Sequence, residues 1–203
     1  LATRWGVDVS NYQGSIDWQA LKAQGIEFAY LRLGLRGYGE QGTLYTDRSF
    51  ARYYEGARAA GIDVGVYFFS QAISTQEAEE EALFVLENLR GWNLEYPVVY
   101  DWETVSSSSA RTNGLSGTVL TDCAITFCET VAAAGYTPMI YYNSPVGYTK
   151  YELSRMTAYD VWHAQYASMP TMYYDYRIWQ YSDSGTIPGI STKVDMNIAF
   201  IPY

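Results

Sequence analysis

Pro97-Val98-Val99-Tyr100-Asp101-Trp102-Glu103 is the stretch on which the fold reading turns. Its apolar and aromatic β-formers end in two acids separated by a tryptophan, the composition of a short, mostly buried strand. Side chains alternate along a strand, so Val99, Asp101 and Glu103 share one face while Val98, Tyr100 and Trp102 share the other. On either side the pattern turns helical, over Thr75–Leu89 and Thr118–Ala134. A strand set between two helices predicts a parallel sheet with right-handed crossovers.

Outward from this centre the same alternation continues. Candidate strands are Trp5–Ser10, Phe28–Gly34, Asp63–Ser70, Thr137–Asn143, Asp160–Tyr166, Tyr176–Ser182 and Val194–Phe200. Further candidate helices are Asp17–Gln24 and Arg48–Ala60, with a short one after Ser144. Thr75 is placed as a helix N-cap, with Ala78 where a capping-box acid would stand and Glu79 just beyond. Gly61 and Gly135 stand where helices end. From Asp160 to Phe200 three strands follow with no long amphipathic run. The pattern predicts an α/β chain: one irregular β/α barrel of eight strands and about five helices, its last strands lacking long helices. All 203 residues are expected to form a single catalytic domain, at the short end of the range for barrels.

A β/α barrel gathers its active site at the C-terminal strand ends, which is where Asp101 and Glu103 fall. Their Cα atoms should lie about 6.7 Å apart. Two carboxylates that close cannot both ionise freely, so one keeps its proton towards neutrality. A protonated acid beside an ionised one is the pairing that glycoside hydrolysis uses. An acid pair in a solvated loop just past the strand is the ordinary alternative. Asp8, inside the apolar run Gly6-Val7-Asp8-Val9-Ser10, and Asp195, in Val194-Asp195-Met196-Asn197, belong to the first and last strands. These are neighbours in a closed barrel, so both acids would rim the same mouth. A capping role at the Asn11–Ser15 turn for Asp8, and a turn role for Asp195, are the competing explanations. Tyr141-Tyr142-Asn143, Trp162-His163-Ala164-Gln165-Tyr166 and Trp179-Gln180-Tyr181-Ser182 add rings and amides at later strand ends, as a sugar cleft requires.

Composition narrows the chemistry. The chain carries 21 tyrosines and six tryptophans but only 17% charged residues, against about a quarter in ordinary proteins. Most of the rings belong to core and strands, and the rest suit the apolar faces of pyranoses. The net charge of −9 argues against nucleic acid and anionic membranes as partners. No apolar run approaches the roughly 20 residues of a spanning helix. The opening Leu1-Ala2-Thr3 lacks an initiator Met, so a processed or trimmed start is expected. Cys123 and Cys128 lie five apart in a helical stretch, about 7.5 Å along the axis and on different faces, and read as buried free thiols. The single histidine, His163, builds neither a zinc site nor a Ser-His-Asp triad by sequence signature.

Taken in order, these segments resemble family 25 of the glycoside hydrolases, the muramidases often called Chalaropsis-type lysozymes. The resemblance runs from Gly6 to about Phe200. It rests on Gly6-Val7-Asp8-Val9-Ser10 with Gln13-Gly14, Tyr30-Leu31-Arg32-Leu33-Gly34, Gly65-Val66-Tyr67-Phe68-Phe69, Tyr100-Asp101-Trp102-Glu103 and the later strand-end motifs. It implies hydrolysis of the β-1,4 bond after N-acetylmuramic acid in bacterial peptidoglycan, by a secreted monomer acting at the cell wall without metal or cofactor. Glu103 becomes the general acid and base, and Asp101 the group that orients or stabilises the reacting sugar. Asp8 and Asp195 complete the acidic pocket, and Tyr67, Tyr141, Trp162, Gln180 and Tyr181 line the cleft. Phe68 stands where members often carry His, and Arg32 where many carry Lys, with consequences expected for subsites or pH optimum. Two rivals remain: a carbohydrate-binding barrel that has lost catalysis, and a chitinase-like hydrolase. The four acids count against the first. Val98 and Val99 interrupt the longer acidic run that the second uses.

Overall fold

The computed structural model describes residues 2–200. β1 (Arg4–Val9) leads through α1 (Trp18–Ala23) to β2 (Ile26–Arg36), and a short β3 (Leu44–Thr46) precedes α2 (Phe50–Ala59). Then come β4 (Asp63–Ser70), α3 (Thr75–Asn88), β5 (Val98–Trp102), α4 (Gly117–Ala133), β6 (Pro138–Asn143), α5 (Ser144–Thr149), β7 (Asp160–Ala164), β8 (Ile178–Ile187) and β9 (Ile190–Ala199). The strands lie in the order β1-β9-β8-β7-β6-β5-β4-β2, with β3 flanking β2, and pairing of β1 with β2 closes the barrel.

The barrel therefore has the expected eight strands, and β3 is a ninth outside the ring. It pairs antiparallel with the far end of β2, Gly34 opposite Thr46 and Arg36 opposite Leu44. Strands β1, β2 and β4 to β8 run parallel, joined by crossovers. β9 runs antiparallel to both β8 and β1. A tight turn at Pro188-Gly189, with Gly189 at φ 107°, links β8 to β9. A hairpin needs no crossover helix, which explains why helices stop in the last section. One cap differs from expectation. Ser74, not Thr75, is the N-cap of α3, its hydroxyl accepting from the Glu77 amide at 3.3 Å. The Glu77 side chain returns the contact, accepting from the Ile73 amide at 2.9 Å.

Two apolar layers result. Outside the barrel, Val7, Val9, Leu31, Phe68, Tyr100 and Trp102 pack under the helices, together with the buried free thiols Cys123 and Cys128. Inside it, Phe28, Tyr30, Tyr96, Val99, Met139, Tyr141 and Trp162 form a separate core. Tyr30 stacks on Trp162 at 4.6 Å between ring centroids, and Phe28 on Tyr96 at 4.7 Å. A Cβ at Gly6 would lie 2.4 Å from the Phe28 ring, so a glycine there leaves room for the aromatic floor. That floor fills the lower barrel and confines polar groups to the mouth. No helix among the described residues is long and apolar enough to cross a membrane.

Candidate active site

The register of the strands brings the four acids together. Asp101 is the penultimate residue of β5, between Phe69 of β4 and Tyr141 of β6, and Glu103 follows one residue past the ladder. Asp8 pairs directly with Asp195 across the antiparallel junction of β1 and β9. The carboxyl groups of Asp101 and Glu103 lie within hydrogen-bonding reach of each other, as do those of Asp8 and Asp195.

A chain of amides and phenols ties the Asp8–Asp195 pair to the aromatic floor. Gln180 Nε2 donates to Asp8 Oδ2 at 2.8 Å and to Asp195 Oδ2 at 3.3 Å. Gln180 Oε1 accepts from the hydroxyls of Tyr141 and Tyr166, each at 2.8 Å. Asn197 Nδ2 donates to Asp8 Oδ2 at 2.8 Å, and its Oδ1 accepts from Trp162 Nε1 at 2.8 Å. Gln180 and Asn197 are buried, and every bond in the chain fixes Asp8 as an acceptor. By contrast, no protein donor reaches Asp101 Oδ1.

Burial raises the pKa of all four acids. Asp101 is pushed well above the usual carboxylate range, by burial first and then by the charge of Glu103. Glu103 is raised by burial, with its hydrogen bond to Asp101 acting in the opposite direction. Among protein groups alone the shared proton therefore favours the deeper Asp101. Asp8 is raised by burial against the pull of its amide donors, and Asp195 is raised to about 9 by burial and then by Asp8.

A group whose folded pKa lies above its unfolded value keeps a proton that the unfolded chain releases. Stability is then full below the unfolded value and falls as pH rises towards the folded one. Wild-type protein should lose thermal stability progressively between pH about 4, the ordinary carboxylate value, and about 9, where Asp195 titrates. Asp195→Asn removes that ionisation and should flatten the decline. A set of melting curves across this range checks it, and an unchanged slope in the variant would contradict the assignment.

The remaining sequence-predicted residues separate into three positions. Tyr67, half-buried, donates its hydroxyl to the Val9 carbonyl at 3.4 Å, and Tyr141 and Gln180 face the acids. Trp162 is 2% exposed and stacked on Tyr30, so it underlies the cleft as its floor and supports Asn197. Tyr181 is the exception and corrects the sequence reading. It sits at the irregularity after Gln180 in β8, its ring against Trp5 and Trp179 on the outer surface. Strand alternation explains this: Ile178 and Gln180 face inward, so Trp179 and Tyr181 share the outer face.

Of the two departures from family pattern, Phe68 lies outside the barrel, packed against Phe84 under the helices. Its neighbour Phe69 is the residue paired beside Asp101. Arg32 does reach the mouth, paired beside Tyr67. Its Nε donates to the buried Asp47 at 2.8 Å, and its charge lowers the pKa of Asp101. Asn197 and Tyr166 were present in the sequence motifs but not singled out, because a polar residue on a strand does not announce its partner. No group of three His, Cys, Asp or Glu among the described residues could hold a metal ion. His163 is buried outside the barrel, against the rings of Tyr142 and Tyr176. A cleft of about 790 Å³ on that outer side, lined by Tyr142, Met172 and Tyr176 among others, contains none of the four acids.

An aromatic-floored β/α barrel with paired carboxyls at the mouth defines the glycoside hydrolase class. The sequence pattern of "Glycosyl hydrolases family 25" matches residues 7–190, and the chain belongs to that family. It is 30% identical over 202 residues to "Lysozyme M1" of Streptomyces globisporus, covering 95% of this chain and 66% of that protein. It is 28% identical over 193 residues to "Autolytic lysozyme" of Clostridium acetobutylicum, covering 95% and 54%. The chain thus spans roughly half to two thirds of these relatives. A crystal structure of the bacterial lysozyme from Streptomyces coelicolor superposes with a TM-score of 0.83 at 29% identity, covering 99% of this chain and 94% of that one.

Proposed function

We propose that this chain is a muramidase domain, cleaving the β-1,4 bond between N-acetylmuramic acid and N-acetylglucosamine in bacterial peptidoglycan. The observation that carries the reading is the hydrogen-bonded Asp101–Glu103 pair at the mouth of a family 25 barrel. Lysozyme relatives in bacteria support peptidoglycan as the substrate. A polymer located outside the cytoplasm calls for a secreted protein, and one self-contained barrel suits a monomeric catalytic domain. The net charge of −9 gives nucleic acid no basic surface to bind.

Glu103 serves as general acid and then as base. Asp101, deeper in the barrel, faces the 2-acetamido group of the reacting sugar. An amide N–H donated to Asp101 Oδ1 would stabilise its anion, and the shared proton then passes to Glu103, beside the glycosidic oxygen. The acetamido carbonyl attacks the anomeric carbon while Glu103 protonates the leaving oxygen, and ionised Asp101 stabilises the positive charge on the cyclised amide. Glu103 next deprotonates the water that opens this intermediate. Asp8 and Asp195, locked by Gln180 and Asn197, shape the pocket around the sugar.

Inverting glycosidases hold their carboxyls about 6.5–9.5 Å apart to admit a water between them. In the substrate-assisted route the acetamido oxygen takes the nucleophile's place, so two successive displacements give net retention. NMR of the first anomer released from a soluble glycan should show the β configuration. Initial α product would exclude both the substrate-assisted route and any nucleophilic role of Asp101.

A further inference from the structure

Glu103 stands one residue beyond the last paired position of β5, where Ser70 of β4 lies beside Trp102. Its backbone has left the sheet just where a catalytic carboxyl must be held still. The next residue of the neighbouring chain segment, Gln71, is completely buried. Gln71 Nε2 donates to the Glu103 carbonyl at 3.3 Å and to the Ser70 carbonyl at 2.8 Å. Its Oε1 accepts from the Thr112 hydroxyl at 3.0 Å. Its backbone amide donates to Glu81 Oε1 at 3.3 Å, and its carbonyl accepts from Arg111 Nη1 at 3.0 Å.

Each partner is itself anchored. Arg36 Nε donates to Glu81 at 2.8 Å within a buried ion pair. Arg111 grips both oxygens of Glu77 at 2.7 and 2.9 Å, near the start of α3. Thr112 and Arg111 belong to the long loop that begins at Glu103 and ends at α4. A buried amide costs stability unless every polar atom is matched, and here all of them are.

We propose that Gln71 is a positioning residue for Glu103, clamping the start of the β5–α4 loop to β4 and, through Thr112, to the loop's far side. The clamp acts on the backbone at Glu103 and so sets where its carboxyl points. It rests on Glu103 being the general acid and base.

Gln71→Met keeps the volume and removes both side-chain donations. A misplacement of the order of 1 Å costs roughly 10²-fold, so kcat on purified peptidoglycan should fall about 10- to 100-fold while KM stays within about twofold. Thr112→Val should lower kcat in the same direction, and Thr112→Ser, which keeps the hydroxyl, should restore it with unchanged thermal stability. Unchanged kcat in Gln71→Met, or equal behaviour of the Val and Ser variants at Thr112, overturns the proposal. If Gln71→Met does not fold, the Thr112 pair decides alone. Glu103→Gln run in parallel separates the two readings: an active Glu103→Gln refutes the role of Glu103, whereas an inactive one beside an unaffected Gln71→Met refutes only the clamp.

Discussion

Glu103→Gln should reduce turnover on peptidoglycan by more than the roughly 10²–10⁴-fold typical of general acid–base catalysis, because the proposed mechanism has one residue serve both chemical steps. The amide is nearly isosteric, and its carbonyl oxygen can accept from protonated Asp101 as the carboxylate did, so the fold and the melting temperature should hold. Glu103 is half-buried at the barrel mouth and has left the β5 ladder, which limits any structural penalty. In the proposed mechanism its carboxyl reaches both the proton shared with Asp101 and the scissile oxygen. Neither Asp8 nor Asp195 can replace it, since Gln180 and Asn197 hold them on the opposite wall. Steady-state assays with soluble glycan fragments check the loss. Retention of a tenth of wild-type activity would remove Glu103 from the mechanism.

Asp101→Asn is expected to be nearly as severe, at roughly 10²–10³-fold in kcat, the scale of losing one preorganised group aimed at developing charge. The substitution also has a stability signature of opposite sign. Asp101 is buried and holds its proton far above the usual range. An asparagine cannot ionise, so the variant should resist unfolding better than wild type as pH rises, while catalysis is lost. Calorimetry from acid to alkaline pH, with kcat measured on the same samples, tests the pair of effects. A variant that is both active and unchanged in stability would show that Asp101 is neither charged in the reaction nor protonated at rest.

Much of this site was legible because strand periodicity and barrel topology act together. Alternation along Pro97–Glu103 placed Asp101 and Glu103 on one face, and closure of first and last strands placed Asp8 beside Asp195. What the sequence reading missed has separate causes. Tyr181 follows the inward-facing Gln180, so alternation itself turns it outward, against Trp5, and the cleft role implied by the family resemblance overlooked this. The Phe68-Phe69 pair offers two rings of equal hydrophobicity, and only the register shows that Phe69 lies beside Asp101.

The reversal of β9 had a signal in Pro188-Gly189, a turn dipeptide between β-forming runs. Its weight was hidden because Ile190–Lys193 lacks clean alternation. β3 has three residues, half-buried or exposed, and no apolar period to detect. Gln71 and Asn197 illustrate a deeper limit. Their roles depend on partners 32 and 189 residues away, and local pattern carries no information about such pairings.

Analysis of the reducing ends released from purified peptidoglycan tests the central claim most directly. Borohydride reduction followed by mass spectrometry of the fragments identifies which sugar was at the cleaved bond. The account predicts reduced muramic acid at the new ends with the wild-type protein, and its absence with Glu103→Gln at matched concentration. New ends carrying N-acetylglucosamine, or no release by wild-type protein, would contradict it.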